Sequence, residues 1–375
     1  MIKYQPGGGH WSWFLQYPLG LRALGHDVLW LELLQSSGHR ETDLQIIRDF
    51  FERLVVYDLS RNCTVLLFNR DLYLEPFAAS EAFGVDKQHV SRFIKSSELL
   101  LNFCCAFGPS LLSLFKRRAL LDFDPGHLQL TASGADLNVH DHEVFLTIGA
   151  RINEPDSEIP KLGLQWRTFT PFIFLPMWPA VPDPGPGAPF SSITQWTWEL
   201  LPWQGRTFSV SKRSAYLKYA DLPLLAHRPF ELAANIGPQD PANDRQYLRE
   251  RGWNLVEPHQ VAGSPAMYQQ YIRNSRAESA SPKPIHVEMR TGWFSDRSIA
   301  YLASGRPVVT EDTGFSERLP TGVGLLTFRD VAEAADRVAE IDADYQRHSS
   351  AAREIAETFF DSRKCLEALL SACES

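Results

Sequence analysis

Apolar residues in this chain fall in turn at helical spacing and in short continuous runs, and the alternation persists along its whole length. Only Ile2 and Tyr4 mark a very short opening strand before Gly7-Gly8-Gly9. His10-Trp11-Ser12-Trp13 then opens a helix whose apolar positions continue through Phe14, Leu15, Tyr17, Leu19, Leu21 and Leu24. Gly25-His26-Asp27 ends it, and Val28 to Leu31 is the next strand, with Glu32 as its stop. Helical spacing returns at 42–57 and 88–101, while Cys63–Phe68 is compatible with a strand or a loop segment. Leu99–Phe103, Ala119–Phe123, Val144–Gly149 and Phe172–Pro176 read as further strands. Apolar strands separated by helices predict a mostly parallel sheet covered on both faces, a doubly wound α/β architecture.

Pro179–Pro189, PAVPDPGPGAP, is the one proline- and glycine-rich run and reads as a linker. Beyond it the pattern predicts strands at Ser192–Trp196, Phe230–Ile236 and Trp253–Val256, a loop through Trp198–Ser211, and helices at Asp244–Arg251 and Pro265–Ser275. Ala332–Phe360 reads as two helices broken near Ser349-Ser350, followed by a helix at Ser362–Cys373. This divides the chain into 1–178, a linker at 179–190, a second domain at 191–360, and a final helix at 361–375. At 375 residues the chain exceeds what a single core usually supports, which agrees with two domains.

Lys283–Phe328 carries the clearest local chemistry. Thr291 or Ser295 can cap a helix that has Asp296 in its first turn, an apolar face of Ile299, Ala300, Leu302 and Ala303, and Gly305 then Pro307 as its stop. Pro307–Thr310 follows as a short buried strand, and Glu311-Asp312-Thr313-Gly314 is the turn at its carboxyl end. Doubly wound sheets bind ligands outside the carboxyl ends of their strands, where helix N-termini favour anions. A phosphorylated ligand is the expected guest.

Composition narrows the field. With 37 basic and 45 acidic residues and no long basic run, nothing indicates nucleic acid or an anionic membrane as partner. Five cysteines, an odd number without a CxxC pair or zinc spacing, read as reduced side chains, and no metal site is expected. The polar cluster Asp136, His140, Asp141, His142 and Glu143 reads as a solvated loop. No apolar run reaches the roughly 18 residues of a spanning helix, and no signal segment opens the chain, so a cytoplasmic protein is expected.

The run TGWFSDRSIAYLASGRPVVTEDTGF, Thr291–Phe315, resembles the donor-binding segment of bacterial GT-B glycosyltransferases. The order of strand, glycine loop, helix, Gly-His and strand at the start is also similar to the first domain of many such enzymes. The resemblance implies two Rossmann-like domains facing a central cleft, with a nucleotide sugar such as a UDP-sugar as co-substrate, an unidentified acceptor, and no cofactor. It implies that the last helix returns to the first domain. Two departures stand out. The opening strand is short for this fold, through either a shortened start or degeneration, and Gly292 and Ala300 stand where many retaining members carry two glutamates. Donor identity and stereochemical outcome therefore do not carry over. A nucleotide-sugar epimerase, and a degenerate protein that only binds nucleotide sugar or glycan, stay as alternatives.

Within that frame each candidate has a functional and a structural reading. His10, after Gly7, Gly8 and Gly9, is a candidate general base or acceptor contact, or else a helix-capping or surface histidine. Asp124 is a candidate acid or base at a strand end, or a turn residue. Lys212, after GRTFSVS, and Lys283 are candidate phosphate ligands, since an enzyme without a metal must offset the diphosphate charge with cations and amides. Arg297 and Ser298, with the backbone from Gly292 to Ser295, would hold the same diphosphate, unless Arg297 pairs with Asp296 or Glu317. Asp312, Thr313 and Gly314 would meet sugar or ribose hydroxyls, or simply form a turn. Trp196 and Trp198 are candidate stacking surfaces, with core packing as the ordinary alternative.

Overall fold

The computed structural model describes residues 1–4, 6–69 and 75–374. In the first half β1 (Trp30–Gln35), β2 (Cys63–Phe68) and β3 (Glu81–Gly84) form one sheet in the order β1-β2-β3. A second sheet is built from β4 (Leu100–Phe103), β5 (Arg118–Asp122), β6 (Val144–Thr147) and β7 (Trp166–Thr168), all parallel and in sequence order. The second half contains β8 (Phe190–Gln195), a hairpin of β9 (Leu200–Trp203) and β10 (Arg206–Ser209), then β11 (Phe230–Asn235), β12 (Trp253–Val256), β13 (Ala277–Ala280), β14 (Val308–Glu311) and β15 (Leu325–Phe328). Its six-stranded parallel sheet runs β12-β11-β8-β13-β14-β15. Chain direction across the sheet reverses between β8 and β13, and a doubly wound sheet opens its ligand crevice at that point.

Strand burial explains the composition. Every position of β2, β13 and β14 is buried, as expected of central strands covered on both faces. The helix Ser362–Glu374 closes the β4–β7 sheet: Cys365, Leu366, Leu369 and Cys373 share a core with Ala119, Leu121, Val144 and Leu146. The 179–189 segment is held by Arg306, 1% exposed, whose guanidinium donates to the carbonyls of Pro182 at 2.8 Å and Arg273 at 2.6 Å. All five cysteines are free thiols. Among the described residues no helix is long and apolar enough to cross a membrane.

Several elements differ from expectation. Ile2–Tyr4 is a 3-10 turn, with the Gly7 amide donating to the Tyr4 carbonyl at 2.8 Å, so the alternation of two residues does not become a strand. Among the described residues no hydrogen-bonded strand joins β1 to β4; Phe14 packs between them, its ring 4.3 Å from Trp30 and 4.8 Å from Phe103. Glu32 does not end its strand but lies mid-way in β1, accepting from the Trp30 indole at 3.1 Å. Phe172–Pro176 is not a strand, and Ile173 makes one isolated bridge to Asp361. The loop expected over Trp198–Ser211 is the β9–β10 hairpin, turned by Gln204 and Gly205, both at positive φ. The long helical region breaks at Asp344, which caps Tyr345–Phe359, while Ser349 hydroxyl donates to the Gly305 carbonyl and leaves its own helix intact.

The glycine run is a contact surface between the halves. A Cβ on Gly8 would overlap the carbonyl oxygens of both Ala262 and Ser264, and one on Gly9 would lie 3.3 Å from the Tyr268 ring. Gly8→Ala is therefore expected to lower stability by about 2 kcal/mol, as overpacking does where the obstacle is backbone. Gly134→Ala, with open space around it, is the control and should be neutral or slightly stabilising. Urea midpoints of the two variants test this; equal midpoints would remove the seam contact.

Candidate functional site

The platform helix Asp296–Ala303 begins where the carboxyl ends of β13 and β14 meet the seam. Ser295 caps it, its hydroxyl accepting from the Arg297 amide at 3.2 Å. A small pocket opens here, lined by Ala280, Pro282, Trp293, Ser295, Ser298 and Thr310 among others. The dipole of the helix favours negative charge at this end. Arg297 also borders the pocket, yet its charge is already matched: the guanidinium pairs with fully buried Glu278 and donates to the Ile193 carbonyl at 2.6 Å. Its partner is neither Asp296 nor Glu317, because Glu317 pairs with Arg151 at 3.0 Å and Arg290 at 2.7 Å.

Lys212 behaves differently. It sits immediately after the hairpin with its ammonium 5.8 Å from the centre of the Trp293 ring, and among the described residues no carboxylate pairs with it. Burial holds its pKa well below the ordinary lysine value; the charges of Arg297 and Lys283 act in the same direction, against Glu278 and Asp296. A cation so placed is stabilised by an incoming anion.

Opposite the platform, the turn after β5 presents Asp124. Its carboxylate pairs with Lys283, meets His127 Nδ1 at 3.0 Å, and lies 3.1 Å from His286 Nε2 without the alignment of a good hydrogen bond. Lys283, expected at the phosphates, is thus engaged by Asp124. His286 is fully buried, stacked on Trp293 at 4.5 Å and 8°, with its other nitrogen 3.2 Å from the Thr291 hydroxyl. His127 reaches Glu199 with its second nitrogen at 2.8 Å. Burial works to raise the Asp124 pKa, but Lys283 and the two histidines hold it well below the ordinary value. Burial lowers His286 despite Asp124, whereas for His127 the same carboxylate overcomes burial and raises it. One carboxylate is thereby flanked by a histidine biased towards the neutral form and one biased towards the charged form, the kind of divergence that serves acid and base roles.

The turn behind Asp124 is supported from below. Asp122, fully buried, accepts from Gln129 at 2.8 Å and Thr147 at 2.7 Å, and burial pushes its pKa up to about 6. Gly126 at φ 88° lets the chain turn into the helix His127–Gly134.

The remaining candidates fall into place around these groups. His10 is exposed in the first turn of the helix Gly8–Ala23, stacked on Tyr4 at 4.7 Å, and close enough to Asp296 for their charges to interact. Gly7 turns the chain into this helix as its cap. Gly292, at φ 74°, admits the other half: a Cβ there would stand 2.9 Å from Ala150 Cβ. Asp312 accepts from the Gly314 amide at 2.9 Å and the Ser316 hydroxyl at 2.6 Å, and Thr313 donates to the Trp293 carbonyl at 2.5 Å. These three residues brace the Trp293 loop. Trp196 is core, donating to Asp244 at 2.8 Å, and Trp198 is exposed. Of the polar cluster 136–143, His142 is buried against Asn102 at 2.9 Å and Glu143 pairs with Arg118. No group of three or more His, Cys, Asp or Glu side chains among the described residues is arranged to hold a metal ion.

Sequence reasoning passed over His286, Trp293 and Glu199. His286 stands three residues after Lys283 on a one-turn helix, Pro284–Glu288, and its relation to Asp124 exists only in three dimensions.

No family model matches the sequence, and no curated protein does. Solved structures do match. HepE from Anabaena, in complex with UDP and glucose, is 14% identical over 93% of this chain and 99% of that one, with a TM-score of 0.51. An alpha-glucosyltransferase in complex with UDP and a 13-mer DNA containing a HMU base is 11% identical over 86% of this chain and 94% of the other, with a TM-score of 0.52. The chain has the GT-B fold that these structures share.

Proposed function

We propose that this protein is a metal-independent glycosyltransferase that transfers a sugar from a nucleoside diphosphate donor to an acceptor. The observation that carries the reading is Lys212: a cation without a carboxylate partner among the described residues, facing Trp293 beside the anion pocket of the platform helix. Lys212 and the N-terminal end of the platform helix would take up charge that develops on the leaving diphosphate. Ser298 would add a hydroxyl. Asp124 and His10, reaching the seam from the first half, are the candidate acceptor-side groups. UDP is the nucleotide in both similar structures described above, which favours a uridine donor. Closure of the seam would exclude water and favour transfer over hydrolysis.

Calorimetric titration with UDP, GDP, dTDP and ADP, first without metal and then with magnesium, tests this. Micromolar binding of UDP that magnesium leaves unchanged is expected. If no nucleotide binds a folded sample, or if binding needs the metal, the reading fails. The internal pairing of Arg297 with Glu278 and of Lys283 with Asp124 favours a second reading, a protein that binds nucleotide sugar without transferring it. Release of UDP from UDP-sugar in the presence of an acceptor panel separates the two.

A further inference from the structure

A second small cavity, with room for about one water-sized group, lies between the helix Gly8–Ala23, the segment that leads out of the first half, and the platform helix. Ser12, Trp178 and Asp296 line it, one from each of these elements, together with Trp13 and Tyr268. Ser12 and Trp178 are 2% and 1% exposed, yet neither the Ser12 hydroxyl nor the Trp178 indole N–H has a hydrogen-bond partner. Gln16, another polar liner, is already satisfied: it donates to the Ser12 carbonyl and accepts from the Phe174 amide at 2.6 Å. Buried polar groups almost always find partners, and two orphans bordering one space point to a ligand in it.

The chemistry of the lining selects that ligand. An indole N–H can only donate and a carboxylate can only accept. A metal cation could not accept from Trp178, an anion would be repelled by Asp296, and an apolar group would satisfy neither. An O–H group accepts and donates at once. We infer that this cavity is a hydroxyl site, in which one O–H oxygen accepts from Trp178 Nε1, donates to Asp296, and exchanges a third bond with Ser12 Oγ. The hydroxyl comes from water or from a sugar or polyol. Asp296 and Ala300, one turn apart, put the site on a different face of the platform helix from Arg297 and Ser298, so the inference does not depend on the donor assignment.

High-resolution crystallography of the full chain decides it, with crystals grown free of polyols and then soaked in glucose. An oxygen at about 2.7–3.2 Å from both Trp178 Nε1 and the Asp296 carboxylate is expected in the unsoaked crystal. In Trp178→Phe, which keeps an aromatic side chain and removes the N–H donor, that oxygen should be lost. A sugar ring replacing it after the soak identifies a saccharide hydroxyl, and an unchanged single oxygen identifies water. An empty cavity in the wild type, or the same oxygen at full occupancy in Trp178→Phe, would overturn the inference. Should Trp178→Phe not fold, Ser12→Ala takes its place: the oxygen should drop in occupancy, and one undiminished there overturns Ser12 as a partner.

Discussion

Lys212→Met is expected to weaken nucleotide binding and to stabilise the folded protein at the same time. A charge-assisted hydrogen bond to a phosphate contributes about 1.5–3 kcal/mol, so affinity for UDP should fall roughly 10- to 150-fold. Methionine keeps the length of the side chain and removes a cation that has no acidic partner among the described residues, a gain of about 1 kcal/mol. The pH dependence follows from the lowered pKa. Between that value and the ordinary 10.5 the unfolded chain holds the extra proton, so the contribution of Lys212 to stability rises with pH across this window. The methionine variant should lose that slope, which urea titrations at two pH values measure. Nucleotide affinity of the wild type should fall as pH rises through the same window. Unchanged affinity would remove Lys212 from the donor site, and a less stable variant would mean that it has a structural partner.

The second large effect belongs to Asp124. Removing it leaves Lys283 without its counter-charge and withdraws the acceptor facing His286, which is wholly buried. Breaking a buried pair from one side is strongly destabilising, and with the Asp124 side chain 29% exposed we expect a loss of about 3 kcal/mol in Asp124→Ala. Asp124→Ala combined with Lys283→Met should recover part of it, because the stranded cation is gone as well. Since the folded-state pKa of Asp124 lies below the ordinary 3.8, its contribution is complete above that pH and disappears as pH falls through the lowered value. The acid limb of the stability profile should accordingly flatten in the alanine variant. An unaltered acid limb would show that the Lys283 contact does not persist in solution.

How far these features could be read in advance depends on the range of the interaction behind each. The platform helix was legible because its cap, its apolar face and its glycine and proline stop all lie within Ser295–Pro307. The helix Arg40–Val55 and the strands β5, β6, β11 and β12 were legible by the same local logic, while β13, only four residues long, was not anticipated. The β9–β10 hairpin was not: Pro202 within the strand and exposed Leu200 obscure the alternation of Leu201, Trp203 and Phe208, and only the Gln204-Gly205 turn announces it. Arg297 was rightly placed at the head of the helix, but its partner Glu278 comes from β13 and no spacing rule joins them. The Asp124 contacts with Lys283 and His286 likewise join sequence-distant turns. A glycine run announces only that a backbone needs room; that the neighbour of Gly8 is the Ala262–Ser264 chain is a tertiary fact.

The helix Ser362–Glu374 has a consequence for how the molecule is made. Its Cys365, Leu366 and Leu369 close the core over β5 and β6, strands that leave the ribosome long before it does. During synthesis the β4–β7 sheet must therefore wait with one apolar face unsealed while the entire second half is translated and folds. The two halves are not separable cassettes: a fragment carrying β1–β7 alone would emerge with that face bare and would self-associate or recruit a chaperone.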